Sequence, residues 1–201
     1  ARTIHRNLRH AVHGPDGTPE LVVATPIFRQ PIARRAEWHV IVLVDVSGSM
    51  EPSTVFAAMT SAILAGVDAL SVTFLAFSTE VVDLTDHVDD PLSLLLEIKV
   101  GGGTDIGGAL AVAGERVTVP SRTMLVLISD FEDAYSASFM LSRIESLHNS
   151  GVRMLGCAAL DDSGAARYNA KIAARAAGAG MAVSAVSPTE LARWVAEQVQ
   201  R

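Results

Sequence analysis

His39-Val40-Ile41-Val42-Leu43-Val44 runs directly into Asp45-Val46-Ser47-Gly48-Ser49-Met50. The first half is a run of apolar β-formers, the pattern of a strand buried on both faces of a parallel sheet. The second half places a carboxylate and two hydroxyls, spaced two apart, where that strand ends. Gly48 lets the backbone turn tightly between the two serines. The set has no thiolate, imidazole or strong base. Small oxygen ligands of this kind suit a hard divalent cation, above all Mg²⁺, which takes oxygen donors in octahedral geometry and keeps several waters.

The surrounding chain has 201 residues, enough for one domain with a single sizeable core and an extension. Hydrophobic residues make up 49% and charged residues only 19%, which favours doubly covered strands and Ala-rich helices over a half-solvated antiparallel sheet. A single cysteine, Cys157, excludes a disulfide framework and a Cys-based zinc site. It is expected to act as a small buried apolar side chain within Val152–Leu160, with no Lys, Arg or His beside it in sequence to activate it. No apolar run approaches the roughly 18–20 residues that cross a bilayer, and no signal-peptide pattern opens the chain. The chain opens on Ala1 and not on Met, as a fragment or a processed product would.

Charge is placed unevenly. Residues 1–37 hold six Arg against Asp16, Glu20 and Glu37, a balance of +3. Residues 38–201 hold 10 basic and 19 acidic residues, a balance of −9, which brings the chain to its formal −6. An acidic body argues against non-specific nucleic-acid binding, which needs a basic face. The basic arm is expected to pack on its own acidic body or to remain solvated, with contact to nucleic acid or to an acidic partner as the alternative.

Beyond residue 38 short β-rich runs alternate with longer helical patterns, which predicts a doubly wound, mostly parallel α/β fold. Strands are expected at about 39–45, 71–77, 81–85, 123–129, 152–159 and 181–186, from their apolar β-formers. Helices are expected at about 53–68, 91–98, 105–117, 135–149, 167–177 and 188–200. Pro52 and Pro188 suit helix starts, whereas Gly151 and Gly178 suit helix ends. Only Ser78-Thr79-Glu80 separates the second and third strands, too short for a helical crossover, so one antiparallel edge strand is predicted. Gly14-Pro15-Asp16-Gly17-Thr18-Pro19 reads as the turn of a hairpin joining about 9–13 to 21–25. The expected organisation is therefore a basic extension over residues 1–37 and one α/β domain over 38–201.

In such sheets ligands bind outside the carboxyl ends of the strands, where the strand order reverses. Three oxygen-rich loops should meet there: Asp45–Ser49, Gly101-Gly102-Gly103-Thr104-Asp105, and Ser129-Asp130-Phe131-Glu132-Asp133. The glycines permit close backbone approach and bring the Thr104 hydroxyl inward. Asp45 and Asp130 together balance a 2+ charge. Hydroxyl ligands add no charge, so such a cation stays electrophilic.

These residues resemble the von Willebrand factor A (VWA) domain family and its metal-ion-dependent adhesion site. Its pattern is Asp-x-Ser-x-Ser, a Thr in a Gly-rich loop, and an Asp after the fourth strand. Asp45, Ser47 and Ser49, then Thr104, then Asp130 match it in order over residues 38–201. The resemblance implies that Ser47 and Ser49 bind Mg²⁺ (or Mn²⁺) directly and Thr104 directly or through water. Asp45 and Asp130 would then act mainly through waters and as hydrogen-bond acceptors, and the free position would accept a partner protein's Glu or Asp. Asp105, Glu132 and Asp133 are expected as capping or solvated residues. Asp-Val-Ser-Gly-Ser-Met and the Thr3–His10 stretch look like bacterial intracellular, CoxE-like VWA proteins associated with MoxR-type AAA+ ATPases. That implies a cytoplasmic adaptor and no catalytic residues.

The rival readings lack parts. Ser47-Gly48-Ser49 is not the Gly-x-Ser-x-Gly elbow of a hydrolase, and no Gly-x-x-x-x-Gly-Lys phosphate loop is present. His39 should lie at the far end of its strand from the site. An Mg²⁺-dependent phosphohydrolase is the nearest enzyme alternative. It calls for a nearby acid, base or Lys, and the chain offers only Lys99 and Lys171. A structural domain that the metal merely stabilises is the other alternative.

Overall fold

The computed structural model describes residues 11–13, 19–21, 38–53, 70–87, 101–133, 135–158 and 168–199. Two compact units divide the chain, Ala1–Arg34 and Arg35–Arg201. In the first, β1 (Ala11–His13) pairs antiparallel with β2 (Pro19–Leu21), His13 opposite Pro19. The second strand of this pair thus begins two residues before the expected residue 21. Proline is tolerated as the first residue of a strand, where its missing N–H costs no central ladder bond.

The second unit holds a six-stranded sheet in the order β5-β4-β3-β6-β7-β8. Its strands are β3 (Trp38–Asp45), β4 (Leu70–Phe77), β5 (Val81–Asp83), β6 (Thr123–Ser129), β7 (Arg153–Ala158) and β8 (Ala182–Ser184). All neighbours run parallel except β4 and β5, the predicted antiparallel edge pair. β3 opens the unit and lies between β4 and β6, so the order of winding reverses beside it. That is where the carboxyl edge opens a crevice.

The described helices are α1 (Ile106–Glu115), α2 (Ala137–Ser150), α3 (Ala170–Gly178) and α4 (Pro188–Val199). Alternate side chains of the central strands feed two cores. Val40, Val42 and Val44 join Phe74, Met124, Val126 and Ile128 under Leu191 and Val195 of α4. Ile41 and Leu43 join Leu75, Phe77, Leu125 and Leu127 under residues of α1, α2 and α3. Helices therefore cover both faces, which is why the β3 run is continuously apolar instead of alternating.

Local details differ from the sequence expectation. Gly48–Ser53 is a 3₁₀ stretch that contains Pro52. The expected helices 53–68 and 91–98 otherwise lie outside the described residues. Gly178 is the last residue of α3 and not its left-handed terminator; the positive φ, 109°, falls at Gly180. At the end of α2, Gly151 does take the left-handed conformation, with φ 101°.

Candidate functional site at the carboxyl edge

Asp45 is the last residue of β3 and is fully buried. Its Oδ1 accepts from the Ser47 N–H at 2.9 Å, which folds the chain back after the strand. Its Oδ2 accepts from the Ser129 hydroxyl at 2.7 Å. The Ser129 oxygen in turn accepts from the Phe131 N–H at 3.0 Å. Ser47 is buried, Ser49 is exposed, and their hydroxyl oxygens lie 3.3 Å apart. This pair forms an open-topped rim above a closed carboxylate anchor.

Asp130 follows β6 directly and is only 7% exposed. Its Oδ1 accepts from the Glu132 N–H at 3.0 Å, and its carbonyl accepts from the Asn169 N–H at 2.7 Å. The third loop is pinned at both ends. The Gly101 N–H donates to the Val46 carbonyl at 2.9 Å, and the Asp105 N–H donates to the Ser78 carbonyl at 2.8 Å. Gly101 and Gly102 have φ of 144° and 86°, a region that side chains rarely adopt, so glycine is required to make this approach. Thr104 is buried between them and Asp105. The five predicted residues are thus gathered on three loops tied to one another. Among the described residues no direct hydrogen bond joins the Thr104 hydroxyl to the other four.

The electrostatics test whether a cation fits. Burial is the main force raising the Asp45 pKa, and the negative charge of Asp130 raises it further, against hydrogen bonds from Ser129 and Ser47. Asp45 and Asp130 are thus two buried carboxylates at one edge, the charge of Asp130 being the smallest of the causes that act on Asp45. Among the described residues neither is ion-paired; the salt bridge there joins Arg116 to Asp83, at 3.1 Å. No group of three His, Cys, Asp or Glu side chains is gathered among those residues. Any cation here would draw its remaining ligands from hydroxyls and water, the donor set that Mg²⁺ or Mn²⁺ accepts.

Neighbouring carboxylates are otherwise engaged. Asp105 caps α1, its Oδ1 accepting from the Gly108 N–H at 2.8 Å, as expected. Glu132 Oε2 accepts from Asn169 Nδ2 at 3.3 Å. Asp133 departs from the expected solvated state. Its Oδ1 accepts from the Tyr135 N–H at 3.1 Å, but Oδ2 is buried with no partner among the described residues. Burial, with the charge of Asp105, raises its pKa.

Sequence reasoning named Ser129 and Phe131 only as members of the third loop, without a role, and did not name Asn169. Ser129 becomes visible only from register: Val44 pairs with Ile128, which sets Ser129 beside Asp45. Phe131 has φ 59° and is fully buried. A Cβ on Gly156 would sit 2.7 Å from its Cζ, so the glycine makes room for the ring. No local signal marks a left-handed phenylalanine.

Residues weighed as reactive lie elsewhere. His39 stands at the amino end of β3, its Nε2 2.8 Å from Thr73 Oγ1, and burial lowers its pKa. Cys157 is buried in the sheet and its thiol is pushed up to about 12. A cavity of about 440 Å³ lies between the C-terminal halves of α1 and α2, lined by Leu110, Val117, Arg143 and Leu147 among others. It is remote from the carboxyl edge, where the helices begin.

A family profile described as a VWA domain containing CoxE-like protein matches residues 1–195. The "Uncharacterized protein YehP" of Escherichia coli (strain K12) is 35% identical over 199 residues, which cover 98% of this chain and 52% of that protein. The chain thus spans about half the length of this curated relative. Among solved structures, an aerotolerance-related membrane protein from Bacteroides fragilis superposes with a TM-score of 0.62 at 17% identity, over 81% of this chain and 98% of that one. A von Willebrand factor type A protein from Catenulispora acidiphila gives 0.56 at 21%, over 79% of this chain and 41% of that one. The SpRpn10 VWA domain gives 0.51 at 11%, over 75% and 88%. These three likenesses describe the fold.

Proposed function

Because the chain belongs to the family of VWA-domain-containing, CoxE-like proteins, we propose that it is a non-catalytic interaction module that takes a Glu or Asp of a partner protein through a divalent cation. The family supports protein interaction in general; the metal dependence is our reading of the site. One observation carries it. Asp45 and Asp130 are both buried at the carboxyl ends of neighbouring strands, beside the hydroxyls of Ser47 and Ser49, and neither is ion-paired among the described residues. Leaving such a pair uncompensated is costly, and a divalent ion balances both.

Ser47, Ser49 and Thr104 would hold Mg²⁺ or Mn²⁺, with Asp45 and Asp130 behind them. When bound, the cation supplies a positive coordination position that an external carboxylate can fill. Asp45 has both oxygens committed, to the Ser47 N–H and the Ser129 hydroxyl, so its task is to hold the serine loop in place. The exposed position of Ser49 leaves the rim accessible to another protein.

Two features support the non-catalytic reading. His39 lies at the far end of its strand, and Cys157 is a protonated core residue at neutral pH. Neither can serve as base or nucleophile at the rim. No helix among the described residues is long and apolar enough to cross a membrane. We place the protein in the cytoplasm as an adaptor for a MoxR-type AAA+ ATPase, a partnership that rests on the resemblance to that intracellular branch.

Affinity purification of the chain from its own cells tests this reading, using wild type and Ser47→Ala or Thr104→Ala in Mg²⁺ or EDTA. Wild type should retain a partner in Mg²⁺ only, and each variant should lose it while its melting temperature changes little. Retention in EDTA, or unchanged capture by variants that have lost thermal stability, would leave the metal a purely structural part. Mg²⁺-dependent phosphatase turnover would point instead to the enzyme alternative.

A further inference from the structure

We propose that Phe131 is a positioning residue of the carboxyl-edge site. Its ring, seated in the space that Gly156 leaves open in β7, fixes the turn that presents Asp130 and, through Ser129, holds Asp45. The consequence for a cation rests on the metal-dependent reading above.

Among the described residues Phe131 is the one non-glycine with positive φ, at 59°. A bulky side chain leaves that region unless its surroundings over-determine it. Here both ring and backbone are committed. The ring is fully buried in the core covered by α1, α2 and α3, which also contains Met181. A Cβ built on Gly156 would lie 2.7 Å from Phe131 Cζ, 3.1 Å from Met181 Sδ and 3.4 Å from Val183 Cγ2. The ring tip therefore stands where a side chain of β7 would otherwise go. On the backbone, the Phe131 N–H donates to Ser129 Oγ at 3.0 Å and the Glu132 N–H donates to Asp130 Oδ1 at 3.0 Å. The Asp130 carbonyl accepts from the Asn169 N–H at 2.7 Å.

The angle φ is a rotation about the N–Cα bond. With the ring held in the core, φ of Phe131 sets where the preceding peptide lies, and that peptide joins Asp130 to Phe131. A return to negative φ would lift the ring from the core or swing Asp130 and the Phe131 N–H away from their partners. The N–H acts at one remove on Asp45, because the Ser129 hydroxyl that it supports donates to Asp45 Oδ2 at 2.7 Å. One ring thus constrains two carboxylates, one at the end of β3 and one after β6. Glycine would take the same φ without strain, but nothing would anchor it. With phenylalanine the turn is strained and fixed.

The test compares the full chain with a Phe131→Gly/Gly156→Leu variant, which removes the ring and returns apolar volume to the same space from β7. Folding is read by thermal melting and Mn²⁺ affinity by electron paramagnetic resonance. Hydrogen exchange without metal follows the Ser47 and Glu132 amides, which donate to Asp45 and Asp130. The variant should melt within about 5 °C of wild type. Its Mn²⁺ affinity should fall by about tenfold or more, and both amides should exchange about tenfold faster. Wild-type affinity and exchange in this variant would overturn the assignment and leave the ring as core filling alone. Should the variant melt far below wild type, Phe131→Leu decides the question, since its side chain stays apolar but is shorter than the ring. The same two losses are expected there, and wild-type values would again overturn the assignment. No Mn²⁺ uptake by wild type itself would overturn the metal reading and the role given to Phe131 with it.

Discussion

Asp45 depends on one residue that local sequence does not announce. Removing the hydroxyl in Ser129→Ala leaves Asp45 Oδ2 buried without its 2.7 Å donor. The loss should cost about 1–3 kcal/mol of unfolding free energy, measurable by urea denaturation without added metal. A change within a few tenths would mean that another donor replaces it. His39 gives a second residue-scale prediction. Burial lowers its folded-state pKa below the ordinary 6.5, so the unfolded chain binds the proton first as pH falls. Stability associated with His39 is therefore full above 6.5 and is lost as pH drops from there towards the lowered value. His39→Gln should flatten that part of the stability–pH curve; an unchanged slope would place the sensitivity elsewhere. The Asp45-x-Ser47-x-Ser49 oxygen cluster was legible because its spacing is local. Ser129 was not, because its role exists only once β3 and β6 are in register.

At the scale of elements, strands were more legible than the ends of helices. Continuous apolar runs such as Met124–Ile128 have one stable home, a doubly covered strand, and the structure puts a strand there. Helix starts depended on which polar residue captured the free N–H groups. Asp105, Ser136 and Asn169 do so for α1, α2 and α3, which trims the expected ranges by one to three residues. Proline at 52 fitted a helix start equally well as the 3₁₀ stretch that contains it. The turn after β6 was the least legible, because its shape comes from a ring packed across the sheet. Gly156→Ala on β7 would drive a Cβ to 2.7 Å from Phe131 Cζ and 3.1 Å from Met181 Sδ. It should destabilise by about 1–3 kcal/mol, the usual cost of overpacking. It should also weaken Mn²⁺ uptake, because Phe131 is joined to both Asp130 and Ser129. Uptake equal to wild type in this variant would show that the ring does not position the site.

For the molecule as a whole, charge and topology converge on one edge of the sheet. The reversal of winding at β3 opens the crevice, and three loops bring hydroxyls and two buried carboxylates to it. Ala1–Arg34 forms a compact unit of its own, and the family profile begins within it, at residue 1. The most direct test of the central claim is Mn²⁺ titration of the full chain followed by electron paramagnetic resonance, which counts free and bound ion separately. The account predicts one tightly bound Mn²⁺ per wild-type chain, displaced by Mg²⁺, and none in a folded Ser47→Ala/Asp130→Ala variant. No saturable uptake by wild type, or equal uptake by that variant, would contradict it.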